Sequence, residues 1–139
     1  MKPDQTSQTP LDERQCRELL GRMTVGRVVY TVGALPAVLP VRYRLDAGGG
    51  VLLRADRGSE LVRAVAGALV AFEVSELSET DGSGWSVTVL GRADLVTDPS
   101  PADGGSLPVS PGPSGEGSIR IRPELVTGRT LAGRPAIGA

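Results

Sequence analysis

The chain has 139 residues, no histidine and a single cysteine, Cys16, and it carries a formal net charge of −1. This length suits one domain with one hydrophobic core, and charges of both signs that nearly cancel exclude a broad electrostatic attraction to nucleic acid or to an anionic membrane. The lack of histidine and of a second cysteine excludes the usual Cys/His zinc sites, Cys–His and Ser–His nucleophile pairs and intrachain disulfides. We therefore expect no metal site, and any catalysis would need an organic cofactor to supply the chemistry.

The N-terminal segment is polar and then takes on a helical pattern. Residues 1–8 should form a disordered tail, and they lack the apolar core of a signal peptide. Thr9 can cap a helix whose first turn contains Pro10 and Asp12. Its apolar stripe consists of Leu11, Cys16, Leu19, Leu20 and Met23. No apolar run approaches the roughly 20 residues of a membrane span, so we expect a cytoplasmic protein.

Two paired strands follow the helix. The first should run from Gly26 to Val32 and the second from Ala37 to Leu45, with a turn at Gly33-Ala34 between them. The second strand alternates between two kinds of side chain, which is typical of a strand with one face in the core. The predicted inward residues are Leu39, Val41, Tyr43 and Leu45, and the predicted outward residues are Val38, Pro40, Arg42 and Arg44.

The middle of the chain predicts a strand, a short helix and two further strands. The strand Val51–Ala55 precedes a helix over Ser59–Ala66, and Leu69–Ser75 forms the next strand. Trp85–Thr97 should be a long strand in which Gly91 marks a bulge or a bend.

The last third of the chain begins with a segment rich in proline, glycine and serine. Residues 98–117 contain too few apolar side chains to order themselves, so we expect a mobile loop, although long loops can also act as lids. Ser118–Arg122 alternates and should be the last strand. Residues 133–139 should be a tail, which leaves a single domain over residues 9–132.

The predicted elements share short connections and a period of two residues. About six strands of this kind, with two or three short helices, predict an α+β fold that is mainly β, built as a six-stranded antiparallel barrel.

Arginines are prominent on the predicted outward faces. Such arginines are ordinary on the wet face of an antiparallel sheet, but Arg42 and Arg54 lie on neighbouring strands. The strand of Arg54 also runs into the helix that begins at Ser59, so its guanidinium and the free N–H groups of the helix could form an anion site, with Arg57 and the Ser59 hydroxyl as further donors. The full set is Arg42, Arg44, Arg54, Arg92, Arg120 and Arg122.

Five segments carry a family resemblance through their order and spacing. They are Leu19-Leu20, Val25-Gly26-Arg27-Val28, the block from Ala34 to Glu73, Gly84-Trp85-Ser86-Val87, and Ile121-Arg122-Pro123-Glu124-Leu125-Val126-Thr127-Gly128-Arg129. Together they resemble the pyridoxamine 5'-phosphate oxidase family of FMN-binding split β-barrels, in particular its small single-domain members. The resemblance covers roughly residues 11 to 132.

The resemblance implies where the flavin phosphate would bind. In the family the phosphate is held at the third strand and at the start of the following helix, which correspond to Arg54 and Ala55 and to Ser59 and Glu60 of this chain. The family usually has lysine where this chain has Glu60, and a carboxylate there would face the phosphate.

The resemblance also implies where the isoalloxazine ring would lie. The backbone of Val41, Arg42 and Tyr43 would border the ring, and a second subunit of a homodimer would cover it with Trp85 and Ser86. Trp85 could equally plug the barrel or lie in the dimer interface.

The resemblance therefore implies an FMN-binding oxidoreductase that transfers hydride or electrons to a small-molecule substrate. The catalytic residues stay unassigned, because no side chain is an evident general acid or base. One alternative is a non-catalytic ligand-binding or scaffold barrel whose flavin site is degraded by Glu60. Another is a reductase that uses a deazaflavin in place of FMN.

Overall fold

The computed structural model describes residues 8–56, 58–96 and 116–133, which form seven strands and two helices. The strands are β1 (Gln8–Leu11), β2 (Val25–Val32), β3 (Leu35–Leu45), β4 (Val51–Asp56), β5 (Leu69–Leu77), β6 (Gly84–Val96) and β7 (Glu116–Leu131). The helices are α1 (Glu13–Arg22) and α2 (Glu60–Val65). Neither helix is long and apolar enough to cross a membrane.

The strands form one antiparallel sheet that closes on itself. Their order is β1-β7-β4-β3-β2-β5-β6, and an additional ladder between β6 and β7 joins the ends into a ring of six strands. The short strand β1 lies outside the ring and pairs only with the C-terminal half of β7. This confirms the mainly β, six-stranded split barrel, to which β1 is added.

Alternate residues of the ring strands fill the core. Valine, isoleucine and leucine provide most of it, and Phe72 is fully buried at its centre. The Tyr43 ring meets Phe72 edge-on with centroids 4.8 Å apart, and its hydroxyl donates a hydrogen bond to the carbonyl of Leu20 at the end of α1. Burial raises the pKa of Tyr43 to about 12. Tyr43 therefore ties the helix to the sheet as a neutral phenol.

Helix α1 begins later than the sequence suggested. Thr9 and Pro10, which we expected to cap and begin the helix, pair as β1 with Thr130 and Arg129 of β7. The N-cap is Asp12, whose carboxylate accepts from the backbone N–H of Gln15 at 2.8 Å while the Gln15 side chain accepts from the Asp12 N–H. This reciprocal capping box satisfies two otherwise unpaired donors, which fixes the start at Glu13.

The last strand is much longer than predicted. Expected over Ser118–Arg122, β7 extends from Glu116 to Leu131 and passes through Pro123. Pro123 is tolerated because it lies opposite Gly91, where the register between β6 and β7 shifts and no regular ladder donor is required. The predicted bulge at Gly91 is thus confirmed, and a Cβ on Gly91 would come within 1.9 Å of the Arg122 carbonyl oxygen.

Other boundaries need small corrections. The predicted loop over residues 98–117 lies mostly outside the described residues, but its last two members, Glu116 and Gly117, pair with β4. Gln8, expected in the N-terminal tail, is the first residue of β1, and the rest of both predicted tails, residues 1–7 and 134–139, lies outside the described residues. Of the residues of β3 predicted to point inward, Val41, Tyr43 and Leu45 are confirmed. Leu39 is 38% exposed, because β4 does not pair with β3 at the level of Leu39.

The turn between β3 and β4 is organised by one carboxylate. Asp46 accepts hydrogen bonds from the backbone N–H groups of Gly48 at 2.9 Å and Gly50 at 2.8 Å. It also pairs with Arg120 of β7, and its side chain is only 7% exposed. These bonds, with that of Arg120 foremost, hold the pKa of Asp46 below its usual value. The turn is therefore fastened to the strand that closes the ring.

We predict that Asp46→Asn lowers the free energy of unfolding at neutral pH by about 1 to 3 kcal/mol, because Arg120 loses this charged partner. Since the folded-state pKa of Asp46 lies below its unfolded value of about 3.9, its contribution is complete above that pH and is lost as the pH falls through the folded pKa. Urea unfolding from neutral to acid pH should therefore show a shallower loss of stability in the variant.

Glu79→Gln removes a carboxylate from an exposed loop and serves as the control, which should follow the wild type. Parallel pH curves for wild type and Asp46→Asn would show that the Asp46 carboxylate contributes nothing as an ion.

Candidate functional site

The barrel opens between β3 and β4, and two of the predicted phosphate residues, Arg54 and Ala55, lie on β4 beside this opening. The β3–β4 ladder contains three pairs, Tyr43 with Leu53 to Leu45 with Val51. Beyond it β3 continues with β2 as far as Leu35, whereas β4 stays with β7 as far as Asp56 and then leads into α2. The two strands therefore diverge, which is what makes the barrel split.

Arg42 and Arg54 stand on either side of the opening. Tyr43 and Leu53, the last pair before it, point into the core. Because side chains alternate along a strand, Arg42 and Arg54 point outward; Arg42 is exposed and Arg54 is half-buried. Ala55, beside Arg54, is partly buried and packs against the core. The structure thus places Arg42 and Arg54 on the two strands that flank the opening, whereas Arg92, Arg120 and Arg122 lie on β6 and β7.

The backbone of β3 also faces the opening. The N–H of Tyr43 donates to the carbonyl of Thr24 on the β2 side, at 2.9 Å, so the backbone groups of its even-numbered neighbours point towards the opening. Two of those neighbours, Pro36 and Pro40, lack an N–H, as is usual on a strand edge. Arg42 and Val38 retain theirs. Three residues were predicted to border the isoalloxazine ring: Val41, Arg42 and Tyr43. Of these, Arg42 is the one whose backbone N–H faces the opening, while Val41 packs against the core.

A third arginine, Arg44, lies on the same outward face one pleat away from the opening. Among the described residues its Nε and Nη1 atoms are buried and have no hydrogen-bond partner. Burying these two nitrogens without acceptors is costly, because they lose their hydration without compensation. The alternation of β3 predicted that Arg44 points outward, but nothing in the local sequence signals its burial.

The start of α2 is a weaker anion site than the sequence suggested. The helix has six residues, and the Ser59 hydroxyl oxygen is its N-cap, accepting from the N–H of Val62 at 3.2 Å. Glu60 is exposed in the first turn, where a carboxylate complements the helix dipole and opposes a bound anion. Arg63, one turn on, donates to the carbonyl of Gly58. Arg57, the other predicted donor, lies outside the described residues.

A groove borders the same helix. Its volume is about 390 Å³, and it lies between α2 and the turn that joins β2 to β3. The lining residues are Thr31, Val32, Gly33, Glu60, Arg63 and Ala64. Glu60 thus lines a shallow groove that is open to solvent.

Trp85 and Ser86 lie elsewhere in the ring. Both belong to β6, which pairs with β5 and β7 and is separated from β3 by two strands in either direction. Trp85 points inward and packs against the core, as in the barrel-plug alternative. Ser86 points outward, and its hydroxyl donates to Glu73 at 3.2 Å. Within one chain neither residue meets the β3–β4 opening, so a role beside the flavin would require a second subunit.

A protein-family model described as pyridoxamine 5'-phosphate oxidase matches residues 12–130 of the chain. This protein belongs to the pyridoxamine 5'-phosphate oxidase family. The family match extends from the capping box of α1 almost to the end of β7, so it includes the whole ring. A curated family relative, the uncharacterized protein Rv0080 of Mycobacterium tuberculosis, is 35% identical over 125 residues, which covers 85% of this chain and 82% of the relative.

Solved structures of similar size share the fold of this family member. The FAD binding protein from Mycobacterium smegmatis superposes with a TM-score of 0.71 and 28% identity, covering 91% of this chain and all of that protein. A FAD-binding protein from Mesorhizobium loti gives a TM-score of 0.70 over 90% of this chain and 99% of its own, at 19% identity. At 19% identity, the similarity to the M. loti protein shows a shared fold only.

Glu60 provides a test of where a flavin phosphate binds. We predict that Glu60→Lys raises the affinity for FMN by roughly 3- to 10-fold, because a repelling charge beside the α2 start becomes an attracting one. Riboflavin, which has no phosphate, should respond much less. Stability without ligand should fall by about 0.3 to 1 kcal/mol as the helix loses a favourable dipole contact.

Fluorescence titration of both ligands into both proteins measures the ratio of affinities. Glu79→Lys makes the same charge change in the exposed loop between β5 and β6 and should leave the ratio unchanged. If Glu60→Lys also left the ratio of FMN to riboflavin affinity unchanged, the phosphate would have to lie away from α2.

Proposed function

We propose that this protein binds a phosphorylated flavin at the β3–β4 opening and uses it to transfer hydride or electrons to a small substrate. The observation that carries the proposal is the pair Arg42 and Arg54 at the opening, in a chain of this family. Support comes from the M. smegmatis FAD binding protein, which covers nearly the whole chain at 28% identity.

The side chains at the opening suit the parts of such a ligand. Arginine binds phosphate through paired N–H donors, and Arg42 and Arg54 supply these groups. The edge of β3 offers apolar surface for the flat ring at Val38, which is 58% exposed, and at Leu39. The Arg42 backbone N–H faces the same side and could donate to a polar edge of the ring.

The chemistry would belong to the cofactor. A bound flavin accepts and returns hydride or single electrons, and the protein then contributes binding, orientation and local charge. Tyr43 is the described phenol nearest the opening, but its pKa of about 12 and its bond to Leu20 keep it protonated and occupied at neutral pH. No side chain is therefore assigned a catalytic role, and the substrate stays unassigned.

The position of Glu60 favours one competing function. A carboxylate in the first turn of α2 would weaken phosphate binding there, which suits a barrel that has kept the fold but no longer transfers electrons. FMN and FAD remain the candidates for the flavin in the oxidoreductase proposal.

The absorption spectrum of the purified protein separates these functions. A flavoprotein should be yellow, should release a flavin on denaturation that mass spectrometry can identify, and should bleach when a reductant is added anaerobically. A colourless protein whose tryptophan fluorescence does not respond to added FMN, FAD or riboflavin would overturn the flavin proposal.

The outward face of the barrel supports a homodimer. One register row crosses five strands, with each residue directly opposite the next, and all of its members are apolar: Val38, Val29, Ala71, Leu90 and Leu125. Val38 is 58% exposed and Leu125 is 52% exposed. A continuous apolar row on the wet face of a sheet marks an interaction surface, and a second copy can cover it because the same row faces itself across a two-fold axis.

We predict that the wild type is a dimer in solution and that Leu125→Glu shifts it to a monomer, because the carboxylate would be buried unpaired in the interface. Light scattering at micromolar concentration measures the change. Leu35→Glu alters a residue that is 72% exposed at the β2–β3 turn, outside the row, and should leave the dimer intact. A monomeric wild type would contradict a flavin site that is completed by Trp85 and Ser86 of a second subunit. A Leu125→Glu variant that is still a dimer would show that the interface does not include this row.

A further inference from the structure

The ring has a second interruption, between β2 and β5. Their ladder contains three pairs and ends at Arg27 and Glu73. Beyond that end β2 continues beside β3 as far as Val25, and β5 continues beside β6 as far as Leu77. The two strands stop pairing while each keeps its other neighbour. A gap is therefore left on the far side of the β2–β3 hairpin from the β3–β4 opening.

A cavity of about 220 Å³ lies in this gap. Most of its walls are apolar, and the end of α1 borders it through the C-cap residue. A cavity of about 150 Å³ is enough for benzene, so this one has room for one ring with a short substituent. The apolar walls are Met23, Val25, Pro40 and Val74, and the polar side chains are Arg27 and Ser75.

The backbone on both sides of the cavity has hydrogen-bonding groups that the ladder does not use. The N–H of Tyr43 donates to the carbonyl of Thr24, so the even-numbered residues of β2 face β3 and the odd-numbered residues face β5. In this alternation Val25 and Ser75 would be the next hydrogen-bonded pair of the β2–β5 ladder, which ends before them. Their N–H and C=O groups therefore point towards the cavity and have no ladder partner there.

The charges at the rim of the cavity compensate each other. Arg27 Nη1 lies 3.3 Å from Glu73 Oε1, and the other oxygen of Glu73 accepts from the Ser86 hydroxyl. An anionic ligand beside Arg27 would also approach the Glu73 carboxylate, and a cationic ligand would meet the reverse. The rim therefore favours an uncharged ligand.

We propose that this cavity binds a small uncharged molecule that has one apolar ring and an amide group. An amide carries an N–H donor beside a C=O acceptor, and these are the two groups that the missing ladder partner of a strand residue would supply. The ring packs against Met23, Val25 and Pro40, and the amide bonds to the backbone at the end of the ladder, in the manner of an apolar pocket with a few polar groups. The site is separate from the β3–β4 opening and does not require a bound flavin.

Benzamide is the probe for this site. Nuclear magnetic resonance titration of the isotope-labelled protein should show saturable shifts of the Val25 and Ser75 amide signals. The dissociation constant should be roughly 0.1 to 1 mM, as suits a ligand of one ring. The amide signals of Arg54 and Ala55, beside the β3–β4 opening, should stay in place.

Acetophenone and benzoate are matched controls, because each has as many non-hydrogen atoms as benzamide. Acetophenone keeps the ring and the carbonyl but has no N–H donor, so it should bind roughly 3- to 10-fold more weakly, the effect of one lost hydrogen bond. Benzoate should bind more weakly still, because its carboxylate would lose hydration next to Glu73.

Two variants test the position of the site. Ser75→Leu places a larger side chain in the cavity and should weaken benzamide binding by roughly 10-fold or more. Thr80→Leu adds an apolar side chain to the exposed loop between β5 and β6 and should bind benzamide like the wild type. Unchanged binding in Ser75→Leu, or equal weakening in both variants, would overturn the proposed site.

The wild type also decides the matter without any variant, so a Ser75→Leu protein that fails to fold does not prevent the test. Shifts confined to other residues, or no shifts up to about 10 mM benzamide, would overturn the site. Acetophenone or benzoate binding as tightly as benzamide would overturn the assignment to amides. None of these outcomes depends on whether a flavin binds at the β3–β4 opening.

Discussion

The interruption of the β3–β4 ladder is the constraint on which the rest of the structure depends. A closed antiparallel ring satisfies the backbone groups of each strand through its two neighbours. Here the β3–β4 ladder has only three pairs, as does the β2–β5 ladder, and beyond those pairs β3 and β4 turn to different partners. Below the stop the barrel is a packed core. Above it the edge of β3 offers backbone groups and apolar surface, with prolines where a donor would otherwise lack a partner. The candidate site is thus the part of the ring where the ladder between two neighbouring strands is incomplete.

Charge around the opening follows from the same divergence. Where β3 and β4 separate, Arg42 and Arg54 stand on the two sides of the opening. Asp46, in the turn that follows β3, is held by the N–H groups of that turn and by Arg120. The two arginines thus bring positive charge to the opening in a protein whose net charge is −1. A local charge of this kind acts on a small anion at short range and does not attract a large polyanion.

Period-two patterning predicted most of the ring, because each strand has one face in the core and the alternation survives in the sequence. The patterning gave wrong predictions where the conformation or the burial of a residue depends on the strand beside it in the sheet. Pro123 suggested the end of a strand, and the bulge partner that accommodates it, Gly91, is more than thirty residues away. Thr9 and Pro10 are compatible with a helix start, and only the partner strand β7 makes them β. Leu39 was predicted inward, but its exposure reflects the absence of β4 beside it.

The candidate site likewise combines residues that the local sequence predicts with residues whose surroundings depend on distant strands. Arg42 and Arg54 could be selected from sequence because neighbouring strands and outward parity are local properties. The short helix α2 was predicted as well, but the Ser59 hydroxyl was expected to donate to an anion, whereas it caps the helix by accepting from Val62. The burial of Arg44 is a tertiary property, produced by strands that are distant in sequence, and no local pattern encodes it. Trp85 was ambiguous because tryptophan serves cores and interfaces equally well.

The length and position of β7 have a consequence for how the protein reaches its fold. This strand pairs with β1, β4 and β6, so it joins segments as distant in sequence as Gln8 and Leu131. Such long-range pairing slows folding, since the loop entropy is lost before the contacts form. During synthesis β7 also leaves the ribosome after all of its partners. Until it does, β4 and β6 expose unpaired edges, and this interval is when the nascent chain is most prone to associate with other chains.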